Sequence, residues 1–323
     1  MQRGTQYIYT QHSDEAIAQL VQTHYLGDRP IRCRFYVSGL HDNYLIEQSG
    51  KKFILRVYRA DWRNETEVQF ELELLNFLQQ KQAPVAGPVT TQDGLLSAPI
   101  ESPEGMRLAA LFQYAEGHAP EAAITTQQCQ LLGRTVAEVH HMADDFVTEQ
   151  QRPELEFGHL VEEPIALYSP YLDSDARAYL QQLLIDLRRQ WPCLEKGIGV
   201  YGVCTGDINA RNFHITDQHK ISLFDFDQCG FGYRAFEIAK FASSIHFHGN
   251  KQQLLAAFLA GYQQVRQLTT SELDAIPVYE IAAVIWVLGI AAKNVGRIGF
   301  KYMEKPYWSR KLDILKTLQK KKQ

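Results

Sequence analysis

The chain has 323 residues, 45% hydrophobic and 22% charged, a balance that suits a globular protein and excludes collagenous, low-complexity and largely disordered chains. Lys plus Arg number 33 against 37 Asp plus Glu, and a formal charge of -4 is no footprint for gripping nucleic acid. Cys33, Cys129, Cys193, Cys204 and Cys229 are odd in number and contain no C-x-x-C pair, which favours free thiols in a reducing compartment over a disulfide frame or structural zinc.

The N-terminal residues 1–16 lack the apolar core of a signal peptide. Residues 32–37 and 43–48 read as two strands joined by a turn at 38–42. A Ser49-Gly50-Lys51 turn then feeds a third strand at 52–58, rich in β-branched and aromatic residues. Asn64 with Glu67 three residues on has the form of a capping box. Phe70, Leu74, Phe77 and Leu78 follow at helical spacing, so a helix is expected over 65–82, stopped before Pro84. Residues 83–89 lead into further strands ending at 107–115. Beyond Gly117 the periodicity predicts long helices at 127–142, 174–190, 251–266 and 273–293. The most apolar stretch, 281–292, is shorter than the roughly 20 residues a bilayer requires. It is expected to be a buried helix of a cytoplasmic protein with no membrane partner.

One sheet-like interruption, between Gly199 and Phe226, carries the chemistry. A polar turn at Thr216 to Lys220 separates two short apolar runs, predicting a hairpin centred near residue 218 with Asn212 opposite Asp225. A neutral oxygen ligand beside a carboxylate suits Mg2+, which takes few protein ligands and keeps the rest for phosphate and water. Asp207 lies in a glycine-containing loop five residues before Asn212, where it could orient a hydroxyl and accept its proton. Taken singly, these Asp and Asn residues could be ordinary turn formers. The hairpin symmetry and joint spacing favour a site.

The run Thr205-Gly206-Asp207-Ile208-Asn209-Ala210-Arg211-Asn212, followed by Leu223-Phe224-Asp225-Phe226-Asp227, resembles the aminoglycoside phosphotransferase and choline kinase-like family, relatives of protein kinases. The catalytic loop of that family usually reads H-G-D-x-x-x-x-N. The resemblance implies that Asp207 is the catalytic base, that Asn212 and Asp225 hold Mg2+, and that Asp227 assists at the metal. The pattern Ile54-Leu55-Arg56-Val57 occupies the place of the family's phosphate-anchoring residue. Glu71 shares a helix face with Leu75 and Leu78, as the acid partner of Arg56 should. By the same resemblance Ser38 and Gly39 belong to the loop over the nucleotide phosphates. Gln113, Tyr114 and Ala115 would form the hinge whose backbone meets adenine, and His140 would be structural.

The nearest branch by resemblance is the homoserine kinase-like and stress-response Ser/Thr kinase group, from residues 53–62, 84–88 and the helix containing Trp286. Two departures stand out: Thr205 replaces the family's His, and Arg56 replaces the commoner Lys. The implied fold is α+β, a two-lobed protein kinase-like fold with a small antiparallel-sheet N-lobe over residues 1–114 and a larger, mainly helical C-lobe over 115–323. The implied activity is ATP- and Mg2+-dependent transfer of the γ-phosphoryl group to a hydroxyl of a small molecule: an amino alcohol, a sugar or an aminoglycoside-like compound. The alternatives are a stress-response Ser/Thr protein kinase and a nucleotide-binding pseudokinase. Glu154, Glu156, Glu162, Glu163 and Asp173 read as a solvated face, with a wall for a cationic acceptor as the sharper alternative. Nothing in the sequence specifies an oligomeric state.

Overall fold

The computed structural model describes residues 9–120 and 123–322; the first part of the N-terminal run, residues 1–8, lies outside them. Helix α1 (Asp14–Val21) is capped by the Ser13 side chain, which accepts from the Ala16 N–H. Strands β1 (Arg32–Ser38), β2 (Asp42–Gln48) and β3 (Lys51–Val57) form an antiparallel meander. After α2 (Glu65–Gln80) come β4 (Pro88–Val89), β5 (Ala98–Ser102) and β6 (Gly105–Gln113), giving a sheet ordered β1-β2-β3-β6-β4 with β5 also on β6.

Strand period divides this sheet chemically. Tyr44, Ile46, Leu55, Val57, Ala109 and Leu111 pack with Ile17, Val21 and Tyr25 around α1 into one small core. Arg56, between Leu55 and Val57, is thereby turned to the opposite face. On α2 both bonds of the Asn64/Glu67 capping box are present. The helix ends two residues short of the expected 82, where Gln82 takes a left-handed φ of 59°. Its apolar side chains, among them Phe70, Leu74 and Leu78, join the same core as the helices that follow. That core anchors α2 to the larger lobe.

The helical lobe contains α3 (Thr126–Met142), α4 (Glu163–Tyr168), α5 (Ser174–Gln190), α6 (Arg234–Ser244), α7 (Lys251–Tyr262), α8 (Thr270–Lys293), α9 (Val295–Ile298) and α10 (Lys305–Lys322). Among these, α4, α6, α9 and α10 go beyond the expected elements, as does α1 in the small lobe. Helices α3 and α7 meet through two glycines: a Cβ on Gly133 would sit 2.0 Å from the Phe258 carbonyl oxygen, and one on Gly261 would sit 1.8 Å from that of Gln130. The apolar run at 281–292 is the second half of α8, a 24-residue helix. By length and composition α8 could cross a membrane, but 83% of its most apolar window is buried inside the protein, which makes it the central core helix.

Two small sheets interrupt the helices. Strand β7 (Tyr201–Cys204) pairs with β10 (Gly230–Tyr233), and β8 (Phe213–Ile215) pairs with β9 (Ile221–Leu223). The β8–β9 pairs His214↔Ser222 and Ile215↔Ile221 are centred on residue 218, as expected. The expected pairing of Asn212 with Asp225 is off by one, because Phe224, whose N–H donates to the Asn212 carbonyl at 3.1 Å, lies opposite Asn212. Asp225 follows one residue later with a left-handed φ of 64°, a conformation that Asp tolerates better than most side chains. This turn, rather than direct pairing, carries its carboxylate into the cleft.

Candidate active site

The loop after β7 is held from below. Glu237 of α6 accepts the Thr205 N–H and, at 3.1 Å, the Gly206 N–H. Gly206 has φ +80°, and a Cβ there would lie 2.0 Å from the Gln228 carbonyl oxygen, so no other residue fits this turn. His140 supports the arrangement, with Nε2 3.4 Å from Glu237 Oε2 and Nδ1 2.9 Å from the Tyr262 hydroxyl. Burial pushes His140 down to about 4, so the ring is neutral. Thr205, in the place of the family's His, leaves its buried hydroxyl without a partner; Glu237 secures the loop through backbone instead. His140, Cys204 and Glu237 lie close enough to suggest a metal centre. However, the Glu237 oxygens are engaged, and burial raises the Cys204 thiol well above its ordinary value, keeping it protonated and a poor ligand.

Asp207 leaves this loop toward the cleft. The Asn212 amide donates from Nδ2 to Asp207 Oδ2 at 2.9 Å and to the Asp207 carbonyl at 2.9 Å. Lys240 Nζ donates to Asp207 Oδ1 at 2.5 Å. Burial alone would raise the Asp207 carboxyl, but the Lys240 ammonium and the bonds from Asn212 and Asn209 outweigh it and hold the group below its ordinary value. Lys240 escaped the sequence reading, although its position was legible. It lies three residues beyond Glu237 on α6 and therefore on the same helix face.

Arg56 approaches from the sheet. Its guanidinium meets Glu71 Oε1 at 3.0 Å, Asp225 Oδ1 at 2.9 Å and Asn43 Oδ1 at 3.3 Å. Glu71 is fastened in turn by the Tyr58 hydroxyl at 3.2 Å. A cavity of ≈ 610 Å³ separates the lobes, and Asp207, Asn212, Asp225, Arg56 and Glu71 all face it. Gly39 borders the same cavity, as do Gln113, Tyr114 and Ala115. Ser38 does not line it; its hydroxyl donates to Asp42 Oδ1 at 3.0 Å and helps close the β1–β2 turn. At the hinge the Gln113 N–H is taken by the Gly87 carbonyl at 2.9 Å, and the Ala115 carbonyl by His214 Nδ1 at 2.8 Å.

Asp227 is corrected by the structure. Its carboxylate is buried and saturated, by His41 Nε2 at 2.9 Å, Trp62 Nε1 at 2.8 Å and Arg63 Nε at 3.0 Å. His41 Nδ1 accepts the Arg59 N–H, so the imidazole hydrogen sits on Nε2 and points at Asp227. Burial would raise the Asp227 carboxyl, but Arg63 and His41 drive it well below its ordinary value. Asp227 therefore clasps the two lobes instead of reaching a metal.

The remaining oxygens suit a hard cation. With Nδ2 spent on Asp207, the Asn212 amide has its Oδ1 left as an acceptor, and Asp225 keeps a second carboxylate oxygen beside the one bonded to Arg56. An amide and a carboxylate oxygen form a donor set for Mg2+ rather than for a soft metal. The acidic face is mostly neutralised by its own cations: Lys196 reaches Glu154 at 3.5 Å and Glu156 at 2.5 Å, Lys305 reaches Asp173 at 2.9 Å, and Arg188 binds Glu162. As a solvated face it is accounted for, and little of it is left to form a wall for a cationic acceptor.

The family model described as the phosphotransferase enzyme family matches residues 32–274. An uncharacterized protein of Synechocystis sp. is 34% identical over 313 residues, spanning 96% of this chain and 87% of its own length. A homoserine kinase of Neisseria meningitidis serogroup B is 25% identical over 289 residues, spanning 87% of this chain and 89% of its own. The solved structure of an amicoumacin kinase in complex with AMP-PNP, Ca2+ and Ami superposes with a TM-score of 0.79 at 20% identity, over 96% of this chain and 94% of that one. At that identity the likeness is one of fold.

Proposed function

The chain belongs to the phosphotransferase enzyme family, and from that premise we propose that it transfers the γ-phosphoryl group of ATP, with Mg2+, to a hydroxyl of a small molecule. The supporting observation is that Asp207, Asn212, Asp225 and the Arg56–Glu71 pair converge on one inter-lobe cavity. Asp207 accepts the hydrogen bond of the acceptor hydroxyl. It takes that proton as the new O–P bond forms and the bond between the γ-phosphorus and the bridging oxygen of ADP breaks. Arg56, kept in place by Glu71, donates to the nucleotide phosphates. Asn212 Oδ1 and the free Asp225 oxygen would hold Mg2+, which when bound neutralises charge on the phosphate oxygens. Positioning and charge compensation then supply most of the acceleration.

The homoserine kinase relatives favour a small acceptor over a protein side chain. The intact set of Asp207, Asn212 and Asp225 weighs against a nucleotide-binding pseudokinase. The test is Mg-ATP consumption by the purified protein with amino alcohols, sugars, aminoglycosides and a protein substrate. Asp207→Asn is expected to lower kcat by about 10²–10⁴-fold, the usual worth of a positioned base, while Mg-ATP still raises Tm. If no acceptor is phosphorylated, the variant hydrolyses ATP like the wild type and Mg-ATP shifts neither Tm, the reading fails.

A further inference from the structure

Helix α6 grips the loop after β7 at three consecutive residues. Glu237 accepts the Thr205 and Gly206 N–H groups. Further along the same helix face, Lys240 donates from Nζ to Asp207 Oδ1 at 2.5 Å. The helix is in no position to drift with the loop, because its residues from Arg234 to Ala242 are all buried. Arg234 also ties it to the end of α3, through the His140 carbonyl and the Asp144 carboxylate, both at 2.7 Å. Lys240 is thus a lysine rooted in a core helix, its side chain 10% exposed against 30% for Asp207. Among the described residues, Asp207 is the one carboxylate with which it forms an ion pair.

A lysine buried to this depth gains little stability from its ion pair, because desolvation offsets the attraction and a packed apolar side chain of similar size does as well. An ammonium on a carboxylate also makes that carboxylate a weaker base. Neither stability nor basicity accounts for Lys240, whereas orientation does. Asn212 Nδ2 holds Asp207 Oδ2 at 2.9 Å and Lys240 holds Oδ1, one bond on each oxygen, so the carboxylate cannot turn about its own axis. Each oxygen keeps a lone pair for a hydroxyl in the cavity that Asp207 lines. Resting on the phosphotransferase reading above, we propose that Lys240 is a positioning residue of the reaction, fixing the Asp207 carboxylate in the orientation that receives the acceptor hydroxyl and its proton. Lys240 is not among the residues that line the cavity. Its effect therefore passes through Asp207 and not through the nucleotide.

The test follows Mg-ATP turnover with the best acceptor among amino alcohols, sugars and aminoglycosides, and with water as the acceptor in basal hydrolysis. Lys240→Met keeps the length of the stem and removes the ammonium. It is expected to lower kcat roughly 10–100-fold, the cost of a misplaced reacting group, with KM for Mg-ATP and Tm nearly unchanged. Lys240→Arg should recover part of the lost rate. In an Asp207→Asn background Lys240→Met should cost little more, because residues that act as a unit are not additive. The proposal is overturned if Lys240→Met leaves kcat intact, if its loss multiplies in full with that of Asp207→Asn, or if KM for Mg-ATP rises as much as kcat falls. Should Lys240→Met not fold, Lys240→Gln in the same cycle decides. A wild type that Mg-ATP stabilises but that transfers to neither an acceptor nor water also overturns it. Absence of both turnover and an Mg-ATP thermal shift in the wild type would strike the phosphotransferase reading itself, a separable result.

Discussion

Arg56 binds Glu71, Asn43 and Asp225 at once, and only a planar fork can do so. A lysine is a single compact ammonium and would keep the charge while surrendering at least one of these bonds. Arg56→Lys is therefore expected to raise KM for Mg-ATP roughly tenfold with a smaller change in kcat, consistent with the loss of one charge-assisted bond. Initial rates at varied ATP will show the split. His140 makes a different prediction. Its folded value of about 4 lies below the ordinary 6.5, so between these limits the unfolded chain binds the extra proton. The neutral ring's contribution is complete above about pH 6.5 and is lost as pH falls toward 4, by at most ~3 kcal/mol. His41, also lowered chiefly by burial, acts in the same direction. Urea midpoints measured from pH 7 to 4.5 should decline, and His140→Gln should flatten the slope.

At the scale of elements, α3 and α7 approach so closely because Gly133 and Gly261 carry no side chain where the facing carbonyls lie. Gly133→Ala must push the helices apart and is expected to destabilise by about 1–3 kcal/mol, as overpacking generally does. Thermal unfolding will show this, and because α3 also carries His140, activity should fall as well. The β8–β9 hairpin illustrates how far spacing alone reaches. Its centre at residue 218 was legible from the polar turn between two apolar runs, since a hairpin register follows from its turn. Counting strictly outward from 218 sets Phe224, not Asp225, opposite Asn212, as the structure has it; what the count does not contain is the left-handed turn at Asp225 that swings its carboxylate into the cleft. The α2 capping box was equally legible, being a reciprocal bond between residues three apart. Helix α1 was missed because it buries only Ile17 and Val21, too few apolar positions to show a period.

For the whole molecule, the cleft is set by two clasps between the lobes. Asp227 gathers His41, Trp62 and Arg63 from the small lobe. Arg297 of α9 reaches the Gly39 carbonyl at 3.3 Å and Asp42 at 3.0 Å, on the turn above the cavity. Removing the Asp227 charge leaves Arg63 buried without its partner, so Asp227→Ala is expected to cost about 3–5 kcal/mol, seen as a large drop in Tm. Arg297→Ala, which leaves the buried Asp42 still facing Arg107 at 3.6 Å and Ser38 at 3.0 Å, should instead raise KM for Mg-ATP with a smaller drop in Tm. The sequence by itself determined the family, the order of sheet and helices and the loop spacing that brings Asp207 beside Asn212, because hydrogen bonding within a loop or hairpin is a matter of short spacing. Only the tertiary structure decided that Asp227 is a clasp and that Lys240 meets Asp207 across 33 residues. A charge's partner on a distant segment is chosen by packing of the core, not by the residues beside it in the chain.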